Sequence, residues 1–156
     1  MGHRDYEEFL AACNARSVRY LIGGAHAVAF YARPRATKDI DVFVDRTRAN
    51  ASRVVAAVRE FFGGASPRGC SEPEDLMDPA VFVQLGVAPV RIDILTSFGG
   101  VPSFAQAWKR RTDARYGRVP AHYLSLEDLI AEKAYWRRDQ DQVDLKSLER
   151  ARRRKK

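Results

Sequence analysis

The apolar positions of the chain alternate between helical and strand-like spacing from the N-terminus onward. Tyr6, Phe9 and Cys13 recur at intervals of three and four residues, which is typical of one face of an amphipathic helix. Compact apolar runs bounded by glycine, proline or charged residues are typical of short strands. The first half of the chain therefore predicts a helix over residues 5–16, a strand over 18–22, a short helix over 25–31, a strand over 39–44 and a helix over 47–62.

The second half repeats this alternation after a polar stretch, residues 66–78, that prolines and a glycine interrupt. Ser125 precedes an apolar-periodic stretch and Asp128 lies three positions later, a pattern typical of a helix closed by a capping box. Strands interleaved with helices indicate an α/β or α+β fold, so we expect a small mixed sheet flanked by helices, with the C-terminal helices packed on the core. The remaining predicted elements are strands over 81–87 and 90–95 joined by a tight turn at 88–89, a short helix over 103–108, a basic connection over 116–120, and helices over 126–136 and 140–152.

Two aspartates stand at the beginning of the second predicted strand. Because successive side chains of a strand point to opposite faces, Asp39 and Asp41 share one face while Ile40 and Val42 take the other. Two neighbouring carboxylates repel each other unless a cation or a proton relieves them. Such oxygen atoms, together with substrate phosphates, are the ligands that Mg²⁺ takes, and Mn²⁺ is the alternative ion. A polar strand end facing solvent is the alternative interpretation.

A third carboxylate lies on a later predicted strand. Ile92 and Ile94 face one side of that strand and Asp93 the other, so Asp93 can join the same cluster. Two divalent ions held by such a cluster would clamp the attacking and leaving oxygens of an in-line displacement. We therefore predict Asp39, Asp41 and Asp93 as metal ligands, with an exposed strand charge as the alternative for Asp93.

Gly23 and Gly24 close the first predicted strand and precede the short helix. Because glycine has no Cβ, backbone N–H groups can approach a ligand here, and a helix N-terminus favours anions. We predict that the pair binds the triphosphate of a nucleotide. A tight strand-to-helix turn without a ligand is the alternative.

These motifs, in their order, resemble the minimal nucleotidyltransferase fold. Within that superfamily the chain is most similar to the AbiEii-type nucleotidyltransferases, many of which are partners in bacterial toxin–antitoxin systems. The resemblance runs from about residue 6 to residue 148 of the chain. The residues that carry it are Gly23, Gly24, Arg35, Thr37, Asp39, Asp41, Asp93, Lys133, Arg138, Asp141, Asp144, Leu145 and Leu148.

The resemblance implies catalytic roles for the three aspartates. Asp39 and Asp41 would bind both metal ions, whereas Asp93 would bind the ion that activates an acceptor hydroxyl and would also take the proton of that hydroxyl. A nucleoside monophosphate would then be transferred to the acceptor, and pyrophosphate would leave.

The resemblance also implies roles in nucleotide binding. Arg35 and Thr37 would contact the nucleotide, with a surface arginine as the alternative for Arg35. Lys133 would reach the triphosphate and take part in catalysis, while Asp141 would lie near the site and hold Lys133 or an arginine. Relatives often carry a basic residue just before this aspartate, whereas Gln140 stands here. A charged amphipathic helix with internal ion pairs is the alternative for this C-terminal part.

Composition indicates an ordinary folded protein: 156 residues, of which 46% are hydrophobic and 30% are charged. We expect a single domain over residues 1–156, with a basic C-terminal tail over about residues 150–156. The first ten residues lack the apolar core of a signal peptide, and no apolar run could cross a bilayer. Cys13 and Cys70 have no ligand spacing around them and are expected to be reduced thiols. We therefore expect a cytoplasmic protein without a membrane partner.

The net charge of +7 is concentrated in two basic clusters, at residues 109–118 and 150–156. Such clusters can attract a polyanion such as RNA, with a solvated helix end and a basic loop as the alternative. We predict a metal-dependent nucleotidyltransferase that acts on an NTP and an acceptor hydroxyl of RNA, tRNA in particular, with a cognate toxin or antitoxin protein as a further partner. The alternatives are a protein or antibiotic hydroxyl as acceptor, or a non-catalytic, antitoxin-like nucleotide-binding module.

Four further aromatic residues could stack on a nucleobase: Trp108, Tyr123, Tyr135 and Trp136. Because most aromatic side chains fill protein cores, we expect each of them to be a core residue.

Overall fold

The computed structural model describes residues 3–34, 36–87 and 90–154 of the chain. Within these ranges six strands form one sheet, which six α-helices and one 3₁₀ turn accompany. The strands are β1 (Tyr20–Gly23), β2 (Asp39–Val44), β3 (Phe82–Val87), β4 (Val90–Leu95), β5 (Thr112–Tyr116) and β6 (Val119–Tyr123). The helices are α1 (Arg4–Ala15), α2 (Gly24–Tyr31), α3 (Arg48–Phe61), α4 (Phe104–Lys109), α5 (Leu126–Trp136) and α6 (Asp139–Arg154), and the 3₁₀ turn is Pro73–Leu76.

The sheet has the strand order β3-β4-β2-β1-β6-β5. Strand β2 runs parallel to β4 and antiparallel to β1, and β1 runs parallel to β6. The two outer pairs, β3 with β4 and β5 with β6, are antiparallel. The sheet is therefore mixed, and the predicted fold class is confirmed.

A buried tyrosine links the first helix to the two strands that carry the aspartates. The hydroxyl oxygen of Tyr6 lies 3.2 Å from the carbonyl oxygens of Lys38 and Arg91 and accepts the amide N–H of Arg91, also at 3.2 Å. Helix α1 therefore holds the beginnings of β2 and β4 together. On the C-terminal side, α5 and α6 pack against each other and against α2, as predicted.

Short polar side chains cap the helices at the positions that the sequence indicates. The Thr47 hydroxyl accepts the Asn50 N–H at 3.4 Å, and the Ser125 hydroxyl accepts the Asp128 N–H at 3.0 Å. At α5 the predicted capping box is only half formed, because the Asp128 carboxylate receives two hydrogen bonds from Arg110, at 2.9 and 3.1 Å. Asp128 is buried, so a fixed arginine stabilises its charge better than a single backbone N–H would.

The largest difference from the sequence prediction is the hairpin of β5 and β6. Residues 116–120, predicted as a basic connection, form the end of β5, the turn and the start of β6. Gly117, with φ of +60°, makes the turn, and Tyr116 pairs with Val119 across it. Gly117 and Pro120 lower the strand propensity of this segment, but pairing of β6 with β1 outweighs that preference.

Smaller differences concern loops and ends. The predicted loop over 66–78 contains the 3₁₀ turn, in which Leu76 is buried in the core. The last helix extends to Arg154, so residues 150–154 of the predicted basic tail are helical. The turn predicted at 88–89 lies outside the described residues. No helix among the described residues combines the length and the apolar character that a membrane span requires.

Candidate functional site

The carboxylates of the site come together through the register of two parallel strands. In the pairing of β2 with β4, Asp39 lies opposite Arg91 and Asp41 lies opposite Asp93. One carboxylate oxygen from each of Asp39, Asp41 and Asp93 can be chosen so that all three lie within 4.8 Å of one another. An all-oxygen donor set of this size fits a hard divalent cation.

The pKa of Asp41 shows how strongly this cluster repels a further negative charge. Burial, the charges of Asp93 and Asp39, and a hydrogen bond with Asp93 raise the pKa of Asp41 to about 7. Burial also raises the pKa of Asp93, and the charge of Asp39 adds to the effect. A bound cation would relieve this repulsion.

Two of the three carboxylates have neighbours that partly compensate their charge. Arg91 donates to Asp39 at 3.2 Å, and the Thr37 hydroxyl donates to the same carboxylate at 3.0 Å. The Gln84 amide donates to Asp93 at 3.1 Å. These contacts hold the carboxylates of Asp39 and Asp93 in place.

The turn made by Gly23 and Gly24, here called the glycine elbow, lies directly against the carboxylate of Asp41. Gly24 begins α2 with φ of +58°, in the left-handed region where side chains are disfavoured. A Cβ at this position would collide with the Asp41 carboxylate, and one at Gly23 would lie 2.5 Å from the ring of Phe98. Gly24 is therefore needed for the close approach of the α2 N-terminus to Asp41, whereas Gly23 makes room for the packing of Phe98. A helix N-terminus beside carboxylates that could hold a metal ion is suited to phosphate groups.

Lys133 is a buried cation that lines the same surface as Gly24 and Asp41. Its ammonium lies 3.3 Å from both Asp141 and Asp144 and 3.8 Å from Glu132. Arg138 donates to Asp141 at 2.7 Å, so Asp141 bridges the two cations. Burial acts to raise the pKa of Asp141, but the hydrogen bond from Arg138 and the charge of Lys133 together lower it.

Two adjoining cavities open beside the carboxylates and share Gly24, Asp39, Asp41, Lys133 and Arg138. The smaller cavity, of about 260 Å³ and named the phosphate cavity for the role that we propose for it, is otherwise lined by Ala25, Thr37, Gln140 and Asp141. The aromatic cavity, of about 490 Å³, is otherwise lined by Ala80, Val81, Phe82, Asp93, Leu95, Ser97, Phe98, Gly99, Glu132 and Trp136. Asp93 thus borders the aromatic cavity and does not line the phosphate cavity.

A family match agrees with this geometry. Residues 2–156 match the family described as nucleotidyl transferase of unknown function (DUF2204). The chain belongs to this family. No curated protein sequence matches the chain.

Membership in a family of nucleotidyl transferases supports the predicted enzyme class and implies a nucleotide donor. Enzymes of this class generally use divalent metal ions, and the cluster of Asp39, Asp41 and Asp93 has the donor atoms to bind one. The family description does not extend to the AbiEii-type assignment.

The structure brings together most of the residues that the sequence singled out. Gly24, Thr37, Lys133 and Asp141 line the phosphate cavity with Asp39 and Asp41, Gly23 precedes Gly24, and Asp93 borders the aromatic cavity. The predicted nucleotide-binding residue Arg35 lies outside the described residues.

Sequence reasoning did not single out three residues that support the site. Arg91 precedes Asp93 by two positions on β4, so alternation alone places both on one face. Gln84 reaches Asp93 only because β3 pairs with β4 in the observed register. Glu132 joins the Lys133 cluster, but nothing in its local sequence distinguishes it from a solvent-facing helix position.

The expectation for the aromatic residues was wrong at two positions. Tyr123 is buried, and Trp108 packs against Arg111, whose guanidinium lies 3.9 Å from the ring centroid. Tyr135 and Trp136, in contrast, are 61% and 49% exposed. They occupy the last turn of α5, at the rim of the site, where the core no longer covers them.

Proposed function

We propose that this nucleotidyl transferase moves a nucleoside monophosphate from an NTP to a hydroxyl of RNA, with tRNA as the favoured acceptor. Asp39, Asp41 and Asp93 would hold Mg²⁺, or Mn²⁺ in its place. The observation that carries this proposal is the convergence of the three carboxylates within 4.8 Å of one another, beside Gly24. A cluster that raises the pKa of Asp41 to about 7 destabilises the fold without a cation, which favours a catalytic over an inert module.

The phosphate cavity is suited to the triphosphate of the donor. The backbone N–H groups at the start of α2 and the side chains of Lys133 and Arg138 supply donors and positive charge on its walls. Asp141 holds both cations in place, since it accepts hydrogen bonds from each. Lys133 is thereby fixed at the cavity wall and loses little side-chain entropy when a phosphate binds.

The transfer is a displacement at the α-phosphorus of the NTP. The acceptor hydroxyl oxygen forms a bond to that phosphorus, the bond from the phosphorus to the bridging oxygen breaks, and pyrophosphate leaves. Asp93 takes the proton of the hydroxyl. When bound, divalent cations supply the positive charge that neutralises the phosphates. Positioning and charge neutralisation provide most of the catalysis in reactions of this kind.

Surface charge favours a polyanionic acceptor. Lys109, Arg115, Arg118, Arg153 and Arg154 are exposed, and the chain has a net charge of +7. Such a surface attracts RNA in a salt-dependent way. We further propose an AbiEii-type role in the cytoplasm, with a cognate toxin or antitoxin as a protein partner, on the basis of the motif order.

The test offers the protein Mg²⁺ and each labelled NTP in turn, with total tRNA, a protein lysate or an aminoglycoside as acceptor. We expect label on RNA, and its loss in Asp41→Ala. Asp45→Asn, a change just beyond the end of β2, serves as the control and should retain activity. Label on polypeptide or on the aminoglycoside would identify that molecule, and not RNA, as the acceptor. No label on any acceptor, with Mg²⁺ or with Mn²⁺, would reject catalysis.

A further inference from the structure

The two cavities beside the carboxylates differ in chemistry. The walls of the phosphate cavity are mostly polar and charged, whereas the aromatic cavity adds three aromatic side chains, Phe82, Phe98 and Trp136. It is also the larger of the two, about 490 against about 260 Å³. An aromatic wall of this kind is suited to the flat face of a nucleobase.

Strand alternation places Phe82 on the same face of the sheet as Asp93. Gln84 reaches Asp93 with its amide, so the side chain of Gln84 points to the site. Phe82 lies two residues before Gln84 on β3 and therefore shares that face. Phe82 is 59% exposed, which leaves its ring available to a ligand.

Trp136 approaches the same cavity from the end of α5 because a glycine makes room for it. A Cβ at Gly99 would lie 2.8 Å from the indole nitrogen of Trp136 and would also collide with the ring of Tyr135. The guanidinium of Arg138 lies 5.6 Å from the Trp136 ring centroid, within reach of a cation–π contact. The indole is thus supported by the protein and still half exposed.

We propose that the aromatic cavity binds the unpaired terminal nucleoside of the acceptor RNA, with its base against Trp136 and Phe82. The inference rests on the proposed function and specifies where its acceptor binds. Asp93, the proposed proton acceptor of the attacking hydroxyl, borders the aromatic cavity and does not line the phosphate cavity. A hydroxyl beside Asp93 therefore brings its own nucleoside into the aromatic cavity, while the donor triphosphate occupies the phosphate cavity.

Binding is measured without catalysis, by fluorescence of Trp136 in a Trp108→Phe background, which removes the other tryptophan of the chain. A short single-stranded oligoribonucleotide should quench this fluorescence, and a blunt-ended duplex of the same sequence should quench it far less. By fluorescence anisotropy of the labelled oligonucleotide, Trp136→Ala and Phe82→Ala should each weaken binding about 5- to 150-fold, as loss of base stacking does. Trp136→Phe should restore most of the affinity, because phenylalanine still stacks.

Steady-state kinetics then shows whether the aromatic cavity binds the acceptor RNA or the donor NTP. Trp136→Ala should raise the KM for RNA and leave the KM for the NTP within about twofold. A rise in the KM for the NTP alone would place the donor base in this cavity and overturn the proposal, and so would unchanged affinity for the oligonucleotide in both alanine variants. If no label is transferred to RNA but quenching persists and depends on Phe82, the proposed reaction fails while the nucleobase site stands. Thermal unfolding of each variant checks that it is folded.

Discussion

Replacement of the Asp41 carboxylate should stabilise the metal-free protein and abolish nucleotidyl transfer. In Asp41→Asn the amide keeps the size of the side chain and loses its charge. The rise in the pKa of Asp41 from 3.8 to about 7 corresponds to about 4 kcal/mol of lost stability above neutral pH. Because Asp41 is partly exposed and solvent screens its charge, we expect a gain of about 2–4 kcal/mol at pH 8.

The gain should depend on pH in a defined direction. The folded protein binds the Asp41 proton more tightly than the unfolded chain does, since burial and the charges of Asp93 and Asp39 raise the pKa in the folded state. The stability of the native protein should therefore fall as the pH rises from about 4 to about 7 and level off above that. The advantage of Asp41→Asn should be close to zero at pH 4 and full at pH 8.

Urea unfolding in EDTA, followed by tryptophan fluorescence between pH 4 and 8, measures this difference. Asp45→Asn is the matched control, and its stability should follow that of the native protein. Added Mg²⁺ or Mn²⁺ should stabilise the native protein by about 2.7 kcal/mol at a hundredfold excess over Kd and should have little effect on Asp41→Asn. A variant that is less stable than the native protein at pH 8, or equally stable at both pH values, would refute the account of the cluster.

Three further changes test other parts of the site and its support. Gly24→Ala should lower the free energy of unfolding by about 1–3 kcal/mol and abolish transfer, because it combines a positive φ with a collision against a carboxylate. Gly63→Ala is the control, since Gly63 also has a positive φ but lies in open space. It should show only the smaller backbone cost in the same urea titration. Lys133→Met should cost about 3–5 kcal/mol at pH 8 because it removes one of the two cations that pair with Asp141 and the ammonium beside Asp144. Lys146→Met, on the exposed side of α6, should change stability by less than about 0.5 kcal/mol. Arg110→Ala should lower stability by about 1–3 kcal/mol, since a buried aspartate loses its partner, and the purified variant should keep its kcat because the pair lies outside the two cavities.

Local patterns were sufficient for the parts of the site that lie within one element. The period of two along β2 places Asp39 and Asp41 on one face, and the same rule applies to Asp93 on β4. The glycine elbow could also be predicted from the sequence, because Gly24 stands where a strand must turn into a helix.

Long-range pairing decided what local patterns could not. The β5–β6 hairpin has weak strand propensity around Pro120, and it forms because β6 pairs with β1 and completes the sheet. The contact of Gln84 with Asp93 depends on the register of β3 against β4, which no local signal specifies. The exposure of Trp136 depends on where the packed core ends, at the last turn of α5.

By itself, then, the sequence determined the elements other than the β5–β6 hairpin, the faces of the strands and the chemical type of the site, because these follow from periodicity and residue chemistry over a few positions. Only the tertiary structure decided that Asp41 lies opposite Asp93, that Lys133 lies among carboxylates, and that two different cavities border the cluster. The physical reason is that strand register and helix packing are set by the burial of the whole core, to which residues far apart in the chain contribute together.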